Sequence, residues 1–88
     1  MVRVELHKGR ELVNDLTVFV IPVSMVGQIV KAMNRLHPTV TKWGYIRKAA
    51  WKAWSRGEDV VRIYESGYTA KLLEEAVKAS VPYTKVVV

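Results

Sequence analysis

The sequence predicts one α+β domain over residues 1–88, with helices packed on a small sheet of about four strands in the order ββααβαβ. Three observations predict this class. Apolar residues alternate or cluster in four short segments, and they recur at helical spacing in three others. Gly, Pro, Asn or Asp residues punctuate the boundaries between these segments. An N-terminal β-hairpin of residues 1–22 and an ααβαβ unit of residues 23–88 follow one another without a linker or repeat.

The hairpin is predicted by two apolar segments with a turn between them. In VRVEL, Val2, Val4 and Leu6 alternate with charged residues, which is typical of a half-buried strand. HKGRELVND turns the chain, and LTVFVI is a more buried second strand that Pro22 ends.

Two helices are predicted next, each with a stop signal. Ser24 is the candidate N-cap of a helix over residues 25–36, which His37-Pro38 stops. Thr39 or Thr41 is the candidate cap of a second helix over residues 42–56, which Gly57 ends. Gly44 is unfavourable inside a helix, so a start at Tyr45 stays open.

The remaining residues predict a strand, a helix and a last strand. DVVRIY is the strand, ESGY a turn, and Ser66 or Thr69 caps a helix that runs to about Ser80. Pro82 then opens the strand YTKVVV. We expect one core that contains Val18, Val20, Trp43, Trp54, Val61, Ile63 and Leu73.

The second helix has an apolar face and a basic face. At about 100° per residue, the core-facing arc contains Trp43, Ile46, Ala50, Ala53 and Trp54. The solvent arc contains Lys42, Tyr45, Lys48, Lys52 and Arg56. Trp51 lies outside the apolar arc, between Arg47 and Lys48 on the helical wheel.

The excess positive charge is confined to the middle of the chain. The formal net charge is +6, yet residues 1–15 are neutral overall and residues 58–88 carry a small negative charge. Residues 16–57 contain seven basic side chains and no acidic one. Because solvated surfaces normally mix both signs, an acid-free stretch of this length favours a polyanionic partner.

Several classes of site and protein are disfavoured. The chain has no cysteine, which excludes a disulfide framework and a thiolate site, and its longest apolar run is too short to span a membrane. His7 and His37 are expected on the surface as neither metal ligands nor catalytic bases, and no phosphate loop or carboxylate pair is present. We therefore expect an intracellular, non-enzymatic protein that has no cofactor and no membrane partner.

The scarcity of Asn and Gln is a hint of a thermophilic source, and a viral or mobile-element origin stays open.

These patterns predict a nucleic-acid-binding protein, for DNA or RNA, in which cations hold phosphates and aromatic side chains stack on bases. The candidate contact residues are Lys31, Arg35, Lys42, Tyr45, Arg47, Lys48, Trp51, Lys52 and Arg56. Two alternatives stay open: the basic residues are simply a solvated helix face, or the Trp51 surface is a protein-protein interface, including that of a homodimer.

The element order of residues 16–88 resembles two known families. One comprises the C-terminal domain of the bacterial ribosomal stalk protein and the similar N-degron adaptor of the Clp protease. That resemblance lies in element order and length, without signature residues. The adaptor's acidic substrate-binding residues have no counterpart near Pro22, Val23 and Ser24.

The second family is the archaeal and eukaryotic type 2 peptidyl-tRNA hydrolase. WKAWSRGEDVVRIYESGYTAKLLEEAVKASVPYTKVVV resembles that family's run of tryptophan-rich helix, Gly, Val-Val strand, helix, Pro and strand, and VFVIPVSMVGQIVKAM resembles its first strand and helix. The family's lysine-containing glycine loop would fall at about residues 23–28, where no lysine stands. Its Asp-Ala-Gly would follow Val88. The resemblance therefore implies a fold without the hydrolase activity.

Overall fold

All 88 residues are described in a computed structural model, which confirms the predicted α+β class and the order ββααβαβ. A 3-10 turn, Val23–Met25, leads into the first helix. The elements are β1 Val2–His7, β2 Leu16–Pro22, α1 Val26–Leu36, α2 Gly44–Ser55, β3 Val60–Ser66, α3 Gly67–Ser80 and β4 Tyr83–Val87. None of the three helices is long and apolar enough to cross a lipid bilayer.

The four strands form one mixed sheet in the order β3-β2-β1-β4. β1 and β2 are the predicted antiparallel hairpin, β2 pairs antiparallel with β3, and β1 pairs parallel with β4. The core strand residues are Val2, Val4, Phe19, Ile21, Val61 and Ile63, and they pack against side chains of all three helices. The helices therefore cover one face of the sheet.

Two of the core residues predicted on β2 lie on the wrong face. Val18 and Val20 alternate with the core residues Phe19 and Ile21 and so point away from the helices, although Val18 is buried beside its strand partners Glu5 and Tyr64. Because side chains alternate along a strand, a shift of one residue reverses every assignment. The run LTVFVI is apolar apart from Thr17, and Thr17 is itself buried on the same face as Phe19 and Ile21, so its polarity does not indicate the correct phase.

The two tryptophans predicted to be equivalent differ in the structure. Trp43 is 2% exposed and belongs to the core, as predicted, whereas Trp54 is 61% exposed and the prediction for it is wrong. The buried face of α2 consists of Ile46, Ala50 and Ala53. Trp54 lies at the margin of that face, where the small alanines let α2 pack closely and leave the larger indole outside.

The helix ends differ in part from the predicted caps. Ser24 lies in the 3-10 turn and caps no helix, and α2 begins at Gly44 after Trp43 rather than after Thr41. The predicted end of α2 at Gly57 is confirmed: Gly57 has a φ of +76°, a region that glycine enters readily. The Gly57 amide donates a hydrogen bond to the Trp54 carbonyl, and the Glu58 amide donates one to the Ala53 carbonyl. These are the paired hydrogen bonds of a Schellman motif.

Candidate nucleic-acid interface

Helix α2 lies at one side of the helical layer, between α1 and the edge strand β3. It packs on both elements through Ile46, Ala50 and Ala53. Two opposite flanks of the helix therefore remain accessible, one beside α1 and one beside β3. This arrangement divides the residues that the sequence grouped into a single basic face.

The flank beside α1 forms an open, mostly apolar groove of about 370 Å³. The start of α1 supplies one wall and α2 supplies the other. Its lining residues are Val23, Val26, Gly27, Arg47, Ala50, Trp51 and Trp54. Arg47 is thus the only charged side chain in the lining, and no carboxylate reaches the groove.

Trp51 and Trp54 form a stacked pair on this flank. Their ring centroids are 5.3 Å apart and their planes differ by 30°. The side chains are 64% and 61% exposed, so the pair presents a large indole surface to solvent. The sequence identified Trp51 as a contact residue and missed Trp54, although the three-residue spacing places both on neighbouring turns of one helix face.

The basic residues of α2 are distributed around this aromatic pair. Arg47 lines the groove, Lys48 is exposed, and Lys52 and Arg56 line a second depression between α2 and β3, together with Arg62. Arg47, Lys48 and Lys52 form no ion pair, and Arg56 approaches Glu58 only to 4.0 Å. Arg47, Lys48 and Lys52 are thus free to bind an anionic partner, whereas Arg56 lies beside Glu58, which lines the same depression. Arg62 was not predicted, since strand alternation marks it only as exposed.

Lys31 and Arg35 lie apart from the α2 groove. They line a shallow groove between α1 and α3, beside Gln28 and Ser80. Neither residue forms an ion pair. They place positive charge on the exposed side of α1 but do not contribute to the aromatic groove.

Tyr45 and Lys42 are engaged within the fold by Glu65 of β3. The Tyr45 hydroxyl donates a hydrogen bond to the Glu65 carboxylate, which also accepts from Thr69 at 3.0 Å. The Lys42 ammonium lies 3.8 Å from the same carboxylate and 5.4 Å from the centre of the Trp43 ring. These two predicted contact residues thus connect the start of α2 to β3, and their polar groups are less available to a ligand.

Because the Tyr45 hydroxyl binds Glu65, we expect Tyr45→Phe to lower the stability of the fold and to leave nucleic-acid binding unchanged. The change should lower the free energy of unfolding by about 1 kcal/mol, because it removes a partly exposed hydrogen bond to a carboxylate. Burial, and to a lesser degree the Glu65 carboxylate, raise the pKa of the Tyr45 hydroxyl above its usual value near 10. The folded state then retains a proton that the unfolded chain releases, so this stabilisation is complete below about pH 10 and disappears as the pH rises further.

Urea unfolding from pH 7 to 11 measures this effect, with Tyr68→Phe as a control at a largely exposed tyrosine. The difference in the free energy of unfolding between wild type and Tyr45→Phe should become smaller above about pH 10. Tyr68→Phe should show the same free energy of unfolding as wild type at each pH. Weaker nucleic-acid binding by Tyr45→Phe at unchanged stability would instead place Tyr45 in the interface.

Both histidines and both acidic residues of α3 form small, separate contacts. His7 lies 3.2 Å from Glu5 at the end of β1, and His37 lies 3.2 Å from Glu75 after α1. Glu74 binds Lys85 at 2.9 Å, in a region of mixed charge on α3. No group of three or more His, Asp or Glu side chains could hold a metal ion.

No family model, curated protein or solved structure matches this chain. Inference about function therefore rests on the site itself. Its main features are unpaired cations on α2, an exposed tryptophan pair and an apolar groove free of carboxylates.

Proposed function

We propose that this protein is a small, non-enzymatic nucleic-acid-binding protein that contacts its partner through α2. The observation that carries the proposal is the pairing of unpaired cations with exposed aromatic rings. Arg47, Lys48 and Lys52 have no acidic partner, and the stacked Trp51 and Trp54 lie beside them on the same helix. This combination suits a chain of phosphates that carries flat, stackable groups.

Phosphate contacts supply most of the affinity in this proposal. These contacts do not depend on the nucleotide sequence, because the charged side chains would bind the phosphate backbone of the nucleic acid rather than the edges of its bases. Arg56, Arg62, Lys31 and Arg35 add positive potential around α2 without lying in its groove. Such a partner also agrees with the expectation of an intracellular protein.

Binding assays with duplex DNA, single-stranded DNA and RNA at two salt concentrations test the proposal. If three or four phosphates are contacted, affinity for single strands should fall about 20- to 50-fold between 50 and 200 mM salt. Failure to retain any of the three nucleic acids at 50 mM salt would refute nucleic-acid binding.

A protein-protein interface is the second candidate function, and the apolar groove favours it. Five of its seven lining residues are hydrophobic, and exposed tryptophan and arginine side chains are common at interface hot spots. The partner would be a second copy of the chain or another protein. Sedimentation of wild type and Trp51→Ala distinguishes the two functions: a dimer that this change dissociates, without any nucleic-acid binding, supports the interface.

A further inference from the structure

The groove between α1 and α2 is open to solvent and has the volume of a small ligand site. Its 370 Å³ lies near the lower end of the range for ligand pockets in proteins, about 300–1,000 Å³. Val23 and Val26 form one wall, and the exposed Trp51 and Trp54 indoles form the other. A flat group can therefore contact apolar surface on both sides while one of its edges remains in solvent.

Gly27 keeps this groove open. It lies in the first turn of α1 and lines the groove, and a Cβ built at this position meets no atom within 4 Å. Its backbone has an ordinary helical conformation, so the fold does not require glycine there. The missing side chain thus leaves free space opposite the tryptophan pair.

The charge of the groove indicates which flat group it accepts. Arg47 lines it, Lys48 follows Arg47 on an exposed position, and no carboxylate is present. A nucleotide offers a π face for an indole and a phosphate for these cations. In a duplex the base faces are covered by their neighbours, so only an unstacked base can enter.

We infer that the groove binds an unstacked base of single-stranded nucleic acid against Trp51 and Trp54, while Arg47 and Lys48 hold the adjoining phosphates. This inference rests on the proposed function and makes it more specific. It assigns duplex binding to charge alone and single-strand binding to charge plus stacking. Lys52 and Arg56, on the opposite flank of α2, contact phosphates in both cases.

Filling the groove at Gly27 provides the test. In Gly27→Leu the side chain leans toward the helix N-terminus and Val23, into the space that a base would occupy. Gly27→Ala is the matched control, because it gives a similar gain in helix propensity but adds only one methyl group. Both variants are expected to fold, since that space is empty.

The probes are a 15-mer of deoxythymidine, its uridine counterpart, the same deoxy backbone without bases, and a duplex. Wild type and Gly27→Ala should bind the two base-containing strands about 5- to 100-fold more tightly than the abasic strand, with quenching of tryptophan fluorescence. Both sugar forms should show this gain, because stacking does not involve the 2′-hydroxyl. Gly27→Leu should bind all strands like the abasic one, with an unchanged salt slope and no quenching.

Other results overturn the inference in different ways. Equal binding of intact and abasic strands by wild type, with normal salt dependence, would leave the proposed function standing and remove the stacked base. If no strand binds, both the stacked base and the proposed nucleic-acid-binding function are refuted. If Gly27→Leu alters self-association but leaves nucleic-acid affinity unchanged, the groove is a protein interface and not a base site.

Discussion

Trp43→Ala is expected to destabilise the protein by about 3–5 kcal/mol, which is typical of a large aromatic residue removed from a core. The Trp43 side chain is 2% exposed and contacts the cluster formed by the helices and the sheet. Small domains are stable by roughly 5–15 kcal/mol, so this decrease is a large fraction of the total. The urea midpoint should fall by more than about 1 M, with a slope similar to that of wild type.

Trp54→Ala is the matched comparison, because the same side chain is removed eleven positions further along the chain. Its indole is 61% exposed, and its main interaction is the stacking with Trp51. We expect the free energy of unfolding to fall by less than about 1 kcal/mol, the range for one exposed aromatic pair. Equal destabilisation by the two variants would show that Trp54 is buried, either by a different helix phase or by self-association.

If Trp43→Ala does not fold, Trp43→Phe keeps the comparison measurable. The Trp43 ring nitrogen is buried without a hydrogen-bond partner, which is unfavourable in the folded state. Phe removes that donor and retains an aromatic ring. The destabilisation by Trp43→Phe should therefore lie between those of Trp54→Ala and Trp43→Ala.

Local sequence patterns were sufficient to predict the order of the elements. Alternation in VRVEL, helical spacing after Met25, and Gly57 at the end of α2 each depend on residues close in sequence. Such signals need no knowledge of tertiary packing. For the same reason they predicted one helix with a basic face and three tryptophans but did not show which elements would flank it.

The predictions that were wrong concern features that tertiary packing determines. The phase of β2 depends on which face the helices cover, and the only polar residue of LTVFVI, Thr17, lies on the covered face beside Phe19 and Ile21. Trp54 is exposed because α2 packs on its neighbours through Ile46, Ala50 and Ala53, and a projection of one helix does not show which residues the neighbouring elements cover. Glu65 lies twenty residues beyond Tyr45 in sequence, so its hydrogen bond to Tyr45 had no local signal.

Removal of the three unpaired α2 charges is expected to have the largest effect on nucleic-acid binding. The variant combines Arg47→Gln, Lys48→Gln and Lys52→Gln, all at exposed positions without ion pairs. Removing one phosphate-binding charge should lower the salt slope by about 0.7 on single strands, hence by about 2 for the three. If the electrostatic contribution to binding vanishes near 1 M salt, the triple variant should bind single strands about 100-fold more weakly than wild type in 0.1 M salt.

A second triple variant separates direct phosphate binding from net charge. Arg10→Gln, Lys71→Gln and Lys78→Gln remove the same number of charges from exposed positions outside the α2 flanks. Because exposed charges beyond about 10 Å are screened in 0.1 M salt, this control should retain most of the affinity and the full salt slope. Equal weakening by both triples would mean that nucleic acid responds only to total charge, and α2 would then not be the binding site. Unfolding curves that overlay with that of wild type are required of both variants, because all six positions are exposed and their removal should not destabilise the fold.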